Sequence, residues 1–182
     1  MIHQPSADTE KEVRYFSPSV FLAGTIDNGN SLNWQQAVAS TLETEFSSEI
    51  SIFNPRNEVW DPDAPTTSLK RQIRWELEWL TYSDVVLFNF MPNSTSVVSM
   101  LELGFCLKSA RVAAGSKSIV VCCPESYYRY TNVVETVCFV RDTLEHPEAV
   151  HFFSDMHIAM HSVTNRLRKV RKEITDLRDI LV

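Results

Sequence analysis

Glu102 stands between Leu101 and Leu103, with Gly104 next, in the segment SDVVLFNFMPNSTSVVSMLELGFCLK that runs from Ser83 to Lys108. A lone carboxylate among apolar neighbours is costly to bury unless it has a partner or a task. With a second carboxylate from another element, such a group can divide labour as nucleophile and acid or positioning group. Glu76, in QIRWELEWL, is the candidate second acid. Glu78 lies about 200° further round a helix, so the two cannot both face one crevice. Glu76 has an alternative reading as a solvent-facing charge paired with Arg71 or Arg74.

These residues need a scaffold. Ser19 to Ala23 is a short apolar run ending at Gly24 and reads as a buried strand. Asn33 can cap a helix from Trp34 to about Phe46, and Ile50 to Phe53 is a second strand. A loop with Pro55, Pro62 and Pro65 leads to a helix opened by Thr66 or Thr67 and reaching Tyr82. Leu69, Ile73, Leu77 and Leu80 give that helix its amphipathic spacing. Asp84 to Phe90 and Ser118 to Cys123 are continuous apolar runs, expected to be strands buried on both faces. Ser96 or a neighbour caps the Glu102 helix. Thr131 to Arg141 is helix or strand. Val150 to Phe153 is a fifth strand, and Ser154 caps a last helix to about Leu177.

Strands alternating with helices predict a single α/β domain over 18–182, after a flexible tail over 1–17. The expected fold is a flavodoxin-like (Rossmann-like) three-layer sandwich with a parallel five-stranded sheet of order 2-1-3-4-5. In such a sheet the loops past the carboxyl ends of the strands share one crevice. That brings together Gly24-Thr25-Ile26-Asp27, Asn54-Pro55-Arg56, Asn93 to Ser99, and Pro124 to Asn132. Gly24 either makes a plain turn or lets a ligand approach the backbone. Ser94-Thr95-Ser96 either caps a helix or holds an anion at its start. Trp34 or Trp60 could offer a stacking face or simply fill the core, and Leu101, Leu103 and Phe105 could supply apolar walls.

Bulk properties narrow the classes. The 182 residues carry a net charge of -6 with 44% hydrophobic and 22% charged residues. An acidic chain argues against sequence-independent nucleic-acid binding. No apolar run is long enough to span a membrane. The first 17 residues fit neither a signal nor a transit peptide, which points to the cytosol. Cys106, Cys122, Cys123 and Cys138 match no zinc pattern and read as buried thiols. His157 and His161 lack the glutamate of a zincin helix, so no metal site and no cofactor is expected. The glycine-rich phosphate cradles are also missing. The basic run Arg166 to Lys172 reads as a solvated helix face.

The ordered set Phe21 to Ile26, Trp34-Gln35, Asn54-Pro55-Arg56, Gln72 to Glu76, Ser83 to Phe88 and Leu101 to Gly104 resembles the nucleoside 2-deoxyribosyltransferase-like family. The likeness spans roughly 20–132. It implies cleavage or transfer at the N-glycosidic bond of a nucleoside or nucleoside 5′-monophosphate, with Glu102 forming a glycosyl ester and Glu76 assisting. It implies a substrate site built from Gly24, Thr25, Ile26, Asn54, Arg56, Asp84, Ser96, Ser99 and Ser126. Members that act on monophosphates carry serine where this chain has Ser96; those acting on nucleosides carry aspartate. The likeness also implies a homo-oligomer, with the loop Ser126 to Arg129 completing a neighbour's site. The partner is thus a small nucleoside or nucleotide, not a nucleic acid or a membrane. A non-catalytic nucleotide sensor on the same fold is the alternative.

Overall fold

The computed structural model of the chain describes residues 1–5, 17–47, 49–56 and 66–181. Six parallel strands form one sheet in the order β1-β3-β2-β4-β5-β6. They are β1 (Ile2–His3), β2 (Ser19–Gly24), β3 (Ser51–Phe53), β4 (Val85–Asn89), β5 (Ser118–Cys122) and β6 (Val150–Phe153). The helices are α1 (Trp34–Phe46), α2 (Thr66–Tyr82), α3 (Val97–Leu107), the short α4 (Ala110–Ala113), α5 (Tyr130–Asp142) and α6 (Met156–Leu181). Without β1 the order is the flavodoxin-like 2-1-3-4-5. The extra strand comes from the segment expected to be a tail, because Ile2 and His3 pair with Ile52 and Phe53. The rest of that segment, 6–16, lies outside the described residues, as do Trp60, Pro62 and Pro65.

The sheet separates two cores because side chains alternate along each strand. Phe21, Ala23, Val86, Phe88, Ile119 and Val121 face α2, α3 and α5. Val20, Leu22, Val85, Leu87, Val120 and Cys122 face α1 and α6. β2, β4 and β5 are buried on both faces, which is why they read as unbroken apolar runs. Edge strand β6 is buried only at Val150.

Helix ends follow local chemistry. Asn33 Oδ1 accepts from the Gln36 N–H at 3.1 Å and starts α1. Asp155, rather than Ser154, caps α6 by accepting the Ile158 N–H at 3.1 Å. The ambiguous Thr131 to Arg141 segment is helical, since Val133, Val137 and Val140 point inward at helix spacing. The basic run on α6 is partly engaged: Arg168 pairs with Glu45 and Arg171 with Glu49.

α2 corrects a reading of its periodicity. Trp75, Trp79 and Leu80 fill the core, with Trp79 stacked on Phe53 at 3.7 Å. Leu69, Ile73 and Leu77 form an exposed stripe instead. The helix has two apolar stripes, and the bulkier tryptophans take the sheet.

Candidate active site

Gly24, Asn89, Cys122 and Phe153 form one row across the carboxyl edge of the sheet, each paired with the next. Gly24 has φ of +130°, and a Cβ there would come within 2.2 Å of the Asn89 carbonyl oxygen. Its glycine is thus required by the close approach of β4, a correction to the idea that it clears space for a ligand. Directly above it, Thr25 Oγ1 meets Ser96 Oγ at 2.6 Å and Ser94 Oγ at 3.0 Å, while the two serines are 2.9 Å apart. The Met91 N–H donates to Thr25 Oγ1, and Ser94 Oγ donates to the Met91 carbonyl. The hydroxyls of this triangle satisfy one another and the Met91 backbone, locking the loop after β2 to the loop after β4.

Ser96 occupies the N-cap position of α3 with φ of 44°, yet its side chain makes no capping bond. A left-handed non-glycine residue costs on the order of 1–2 kcal/mol, here offset by the hydroxyl triangle. The first N–H groups of α3 therefore have no side-chain cap, an arrangement suited to an anion. The loop after β5 closes on the same place, with Tyr127 and Tyr128 both donating to the Thr95 carbonyl, at 3.0 and 3.3 Å. Burial pushes the Tyr127 phenol up to about 12, so it is a neutral donor.

The two carboxylates arise from the packing of α2 beside α3, which run in the same direction on one sheet face. Cys106 Sγ of α3 lies 3.8 Å from the Leu80 carbonyl oxygen of α2. Glu102 and Glu76 each sit one helical turn before that contact, hence at one level between the helices. Burial, reinforced by the Glu76 charge, pushes the Glu102 carboxyl up to about 8. Burial also raises Glu76, opposed by the Gln72 amide that donates to its Oε1 at 2.9 Å. Glu76 thus pairs with an amide, not with Arg71 or Arg74. Two desolvated acids that repel one another hold a proton between them near neutrality. Glu102 accepts no hydrogen bond from the described residues. The Cys106 thiol, pushed up to about 12 by burial, is inert.

Other expected site residues divide into three groups. Asp84 is a correction: it lies at the amino end of β4, across the sheet from the crevice. Its Oδ2 accepts from the Ser19 N–H (2.9 Å) and hydroxyl (2.6 Å), and its Oδ1 meets Arg111 at 3.3 Å. Arg56 and Asn54 do lie at the carboxyl edge, but both are buried and engaged. The Asn54 side chain accepts the Arg56 N–H, and the guanidinium donates to the Gly29, Ser31 and Leu32 carbonyls. That clamp shapes the loop containing Ile26, which is half-buried. Ser99 is buried in the first turn of α3, and Ser126 is exposed on the loop after β5. Of the three expected pocket walls only Leu103 points inward; Leu101 and Phe105 are exposed, since helix spacing turns them away from the sheet. Trp34 is buried with its Nε1–H donating to the Thr25 carbonyl at 2.9 Å. His157 and His161 are exposed on α6.

Sequence reasoning missed the partnerships of four residues. Gln72 sits four residues before Glu76, a spacing that signals an amide-to-carboxylate bond on one helix face. Thr25 and Ser94 were named by position, but nothing in one dimension pairs residues 69 apart. Tyr127 stood in the loop expected to complete a neighbour's site, but its bond to the Thr95 carbonyl of the same chain had no sequence signal.

A flavodoxin-like sheet with two coupled carboxylates beside its carboxyl edge defines a class of α/β proteins built to handle a small ligand there. A profile of the nucleoside 2-deoxyribosyltransferase-like family matches residues 17–127, more than half of the chain, from β2 through β5 and including both carboxylates. The chain belongs to that family. No curated protein matches it. Among the described residues no helix is long and apolar enough to cross a membrane.

Proposed function

We propose that the protein cleaves or transfers at the N-glycosidic bond of a nucleoside or nucleoside 5′-monophosphate, through a glycosyl ester on Glu102. The observation that carries this reading is the Glu76–Glu102 pair, brought together from two helices, half-buried and coupled. A singly protonated pair supplies both functions the reaction needs. An oxygen of ionised Glu102 bonds to C1′ as the C1′–N bond breaks. The electron pair leaves with the base, which takes up the proton held by the pair. Water or a second base then attacks C1′ and returns the Glu102 carboxylate. The resting pair favours the proton on Glu102, because Gln72 favours charge on Glu76. Turnover therefore requires that proton to pass within the pair to Glu76, and kcat/KM falls as pH rises through about 8, where the pair loses the proton the leaving base needs.

Ser96 favours a 5′-monophosphate by what it lacks. Its hydroxyl is spent within the triangle, but it puts no negative charge beside the uncapped N–H groups of α3. Those groups would hold the phosphate.

The apolar stripes flanking the pair support a homo-oligomer. Leu69, Ile73 and Leu77 on α2, with Val97, Leu101 and Phe105 on α3, are all exposed. Gly104 lies in the middle of α3 with open space where a side chain would be. A second copy covering this face would bury the stripes and close the site to water. Sedimentation of the wild type as a monomer at micromolar concentration would remove this element of the reading.

Incubation with ribo- and deoxyribonucleosides and their monophosphates, with and without an acceptor base, tests the activity. Base released without acceptor identifies a hydrolase, and base exchange a transferase. A thermal shift with one nucleotide but no turnover would replace the enzyme by a sensor.

A further inference from the structure

We propose that a cleft on the α1/α6 face is a second small-molecule site, for an uncharged planar heterocycle presenting an N–H beside a carbonyl oxygen or ring nitrogen acceptor, the lactam or amidine edge found on nucleobases. The cleft holds about 380 Å³, and its lining includes Trp34, Val38, Asn89, Met91, Cys122 and Met156. That volume lies within the ordinary range of ligand pockets. It is separate from the carboxylate pair. Asn89 alternates with Phe88 and so points, like Val85 and Leu87, away from α2 and α3.

Asn89 is the feature that asks for a ligand. The residue is only 7% exposed, lines the cleft, and its side chain has no hydrogen-bond partner among the described residues. Nor is its amide sealed off, since it is not among the buried polar groups cut off from both solvent and partners. Among the described residues, the cleft is where its bonds can be made. An amide that no protein group pairs is a poor choice at a largely buried position, where leucine would pack against its apolar neighbours. A carboxamide offers one acceptor and two donors on a planar fork, which matches a lactam or amidine edge with two parallel hydrogen bonds.

The remaining lining sets the other properties of the ligand. None of the side chains lining the cleft is charged, and Asp155 acts on Cys122 from beside it. Phosphates and carboxylates find no counter-charge there, so the ligand is neutral. The Trp34 indole, fixed by its bond to the Thr25 carbonyl, and the thioethers of Met91 and Met156 suit a flat ring. Occupation of this cleft needs no glycosidic chemistry and stands apart from the role given to Glu102.

Titration calorimetry of the full chain with uracil, hypoxanthine and adenine, and with caffeine as an analogue lacking N–H groups, tests the site. At least one of the three bases is expected to bind saturably with Kd below about 1 mM, and caffeine not to bind. Asn89→Leu is expected to weaken binding at least tenfold while keeping or raising the melting temperature. Ala37→Trp, at an exposed position on the cleft wall, is expected to abolish binding by filling the space, and it decides the matter if Asn89→Leu does not fold. Glu102→Gln is expected to bind the base as the wild type does. The proposal is overturned if no base binds saturably, if caffeine binds equally well, or if both cleft variants bind normally. Loss confined to Glu102→Gln would also overturn it, by placing the base at the carboxylate pair.

Discussion

Asp84 and Glu102 are both carboxylates beside β4, yet the protein treats them in opposite ways. Asp84, at the amino edge, receives two hydrogen bonds from Ser19 and faces the Arg111 guanidinium. Arg111 in turn donates to the Tyr82 and Ser116 carbonyls, so that corner is a tie between β2, β4 and α4. Glu102, toward the carboxyl edge, has a second acid for a neighbour and no donor among the described residues. Partners make one acid a structural element; the lack of them leaves the other with an unmet demand for charge compensation. An oxocarbenium-like sugar would meet that demand.

The sharpest way to break this contrast is to neutralise each acid in turn. Glu102→Gln is expected to lower kcat/KM on the order of a thousandfold or more in base-release assays, with the fold retained by circular dichroism. Full activity in that variant would end the nucleophile assignment. Asp84→Asn is expected to do the reverse. It loses about 2 kcal/mol of stability, a melting shift of roughly 4–8 °C downward, while the folded protein keeps its turnover. A loss of turnover without destabilisation would return Asp84 to the substrate site.

A smaller effect sharpens the electrostatic side of the comparison. The raised Glu102 carboxyl means that the folded protein keeps a proton the unfolded chain releases. Wild-type stability is therefore eroded as pH rises from the ordinary carboxyl range toward about 8, and the deficit is constant above that. Glu102→Gln removes the deficit. It is expected to melt like the wild type near pH 4 and about 3–6 °C higher at pH 8, a gain on the order of 1–2 kcal/mol. An equal shift at both pH values would show that the site does not strain the carboxylate. The smallest expected effect concerns Ser96→Asp, which should reduce kcat/KM for a monophosphate about tenfold more than for its nucleoside. Equal losses on both would point to disruption of the hydroxyl triangle alone.

The contrast between the two acids also shows where a linear reading stops. Asp84 and Glu102 sit at either end of one strand–loop–helix segment, and both carry the family likeness. Only pairing of β2 with β4 brings Ser19 to one and not the other. α2 teaches the same lesson with apolar residues. The Leu69, Ile73, Leu77 spacing was visible as periodic, but periodicity does not say whether that stripe or the one with Trp75 and Trp79 meets the sheet. Gly24 was legible as a special position, whereas the reason lay in a strand 65 residues away.

The chain alone determined the architecture and pointed to two candidate acids. Continuous apolar runs separated by helix-length segments leave a parallel, helix-covered sheet as the stable solution, because every backbone group and apolar face must be satisfied within the chain. The ordered motifs singled out Glu76 and Glu102. Tertiary structure decided the rest: that these two acids share one level between α2 and α3, that Thr25, Ser94 and Ser96 close a triangle, and that Asn89 opens on a cleft of its own. Those are relations between residues distant in sequence. Their energies depend on desolvation and partners, which exist only once the helices and strands are packed.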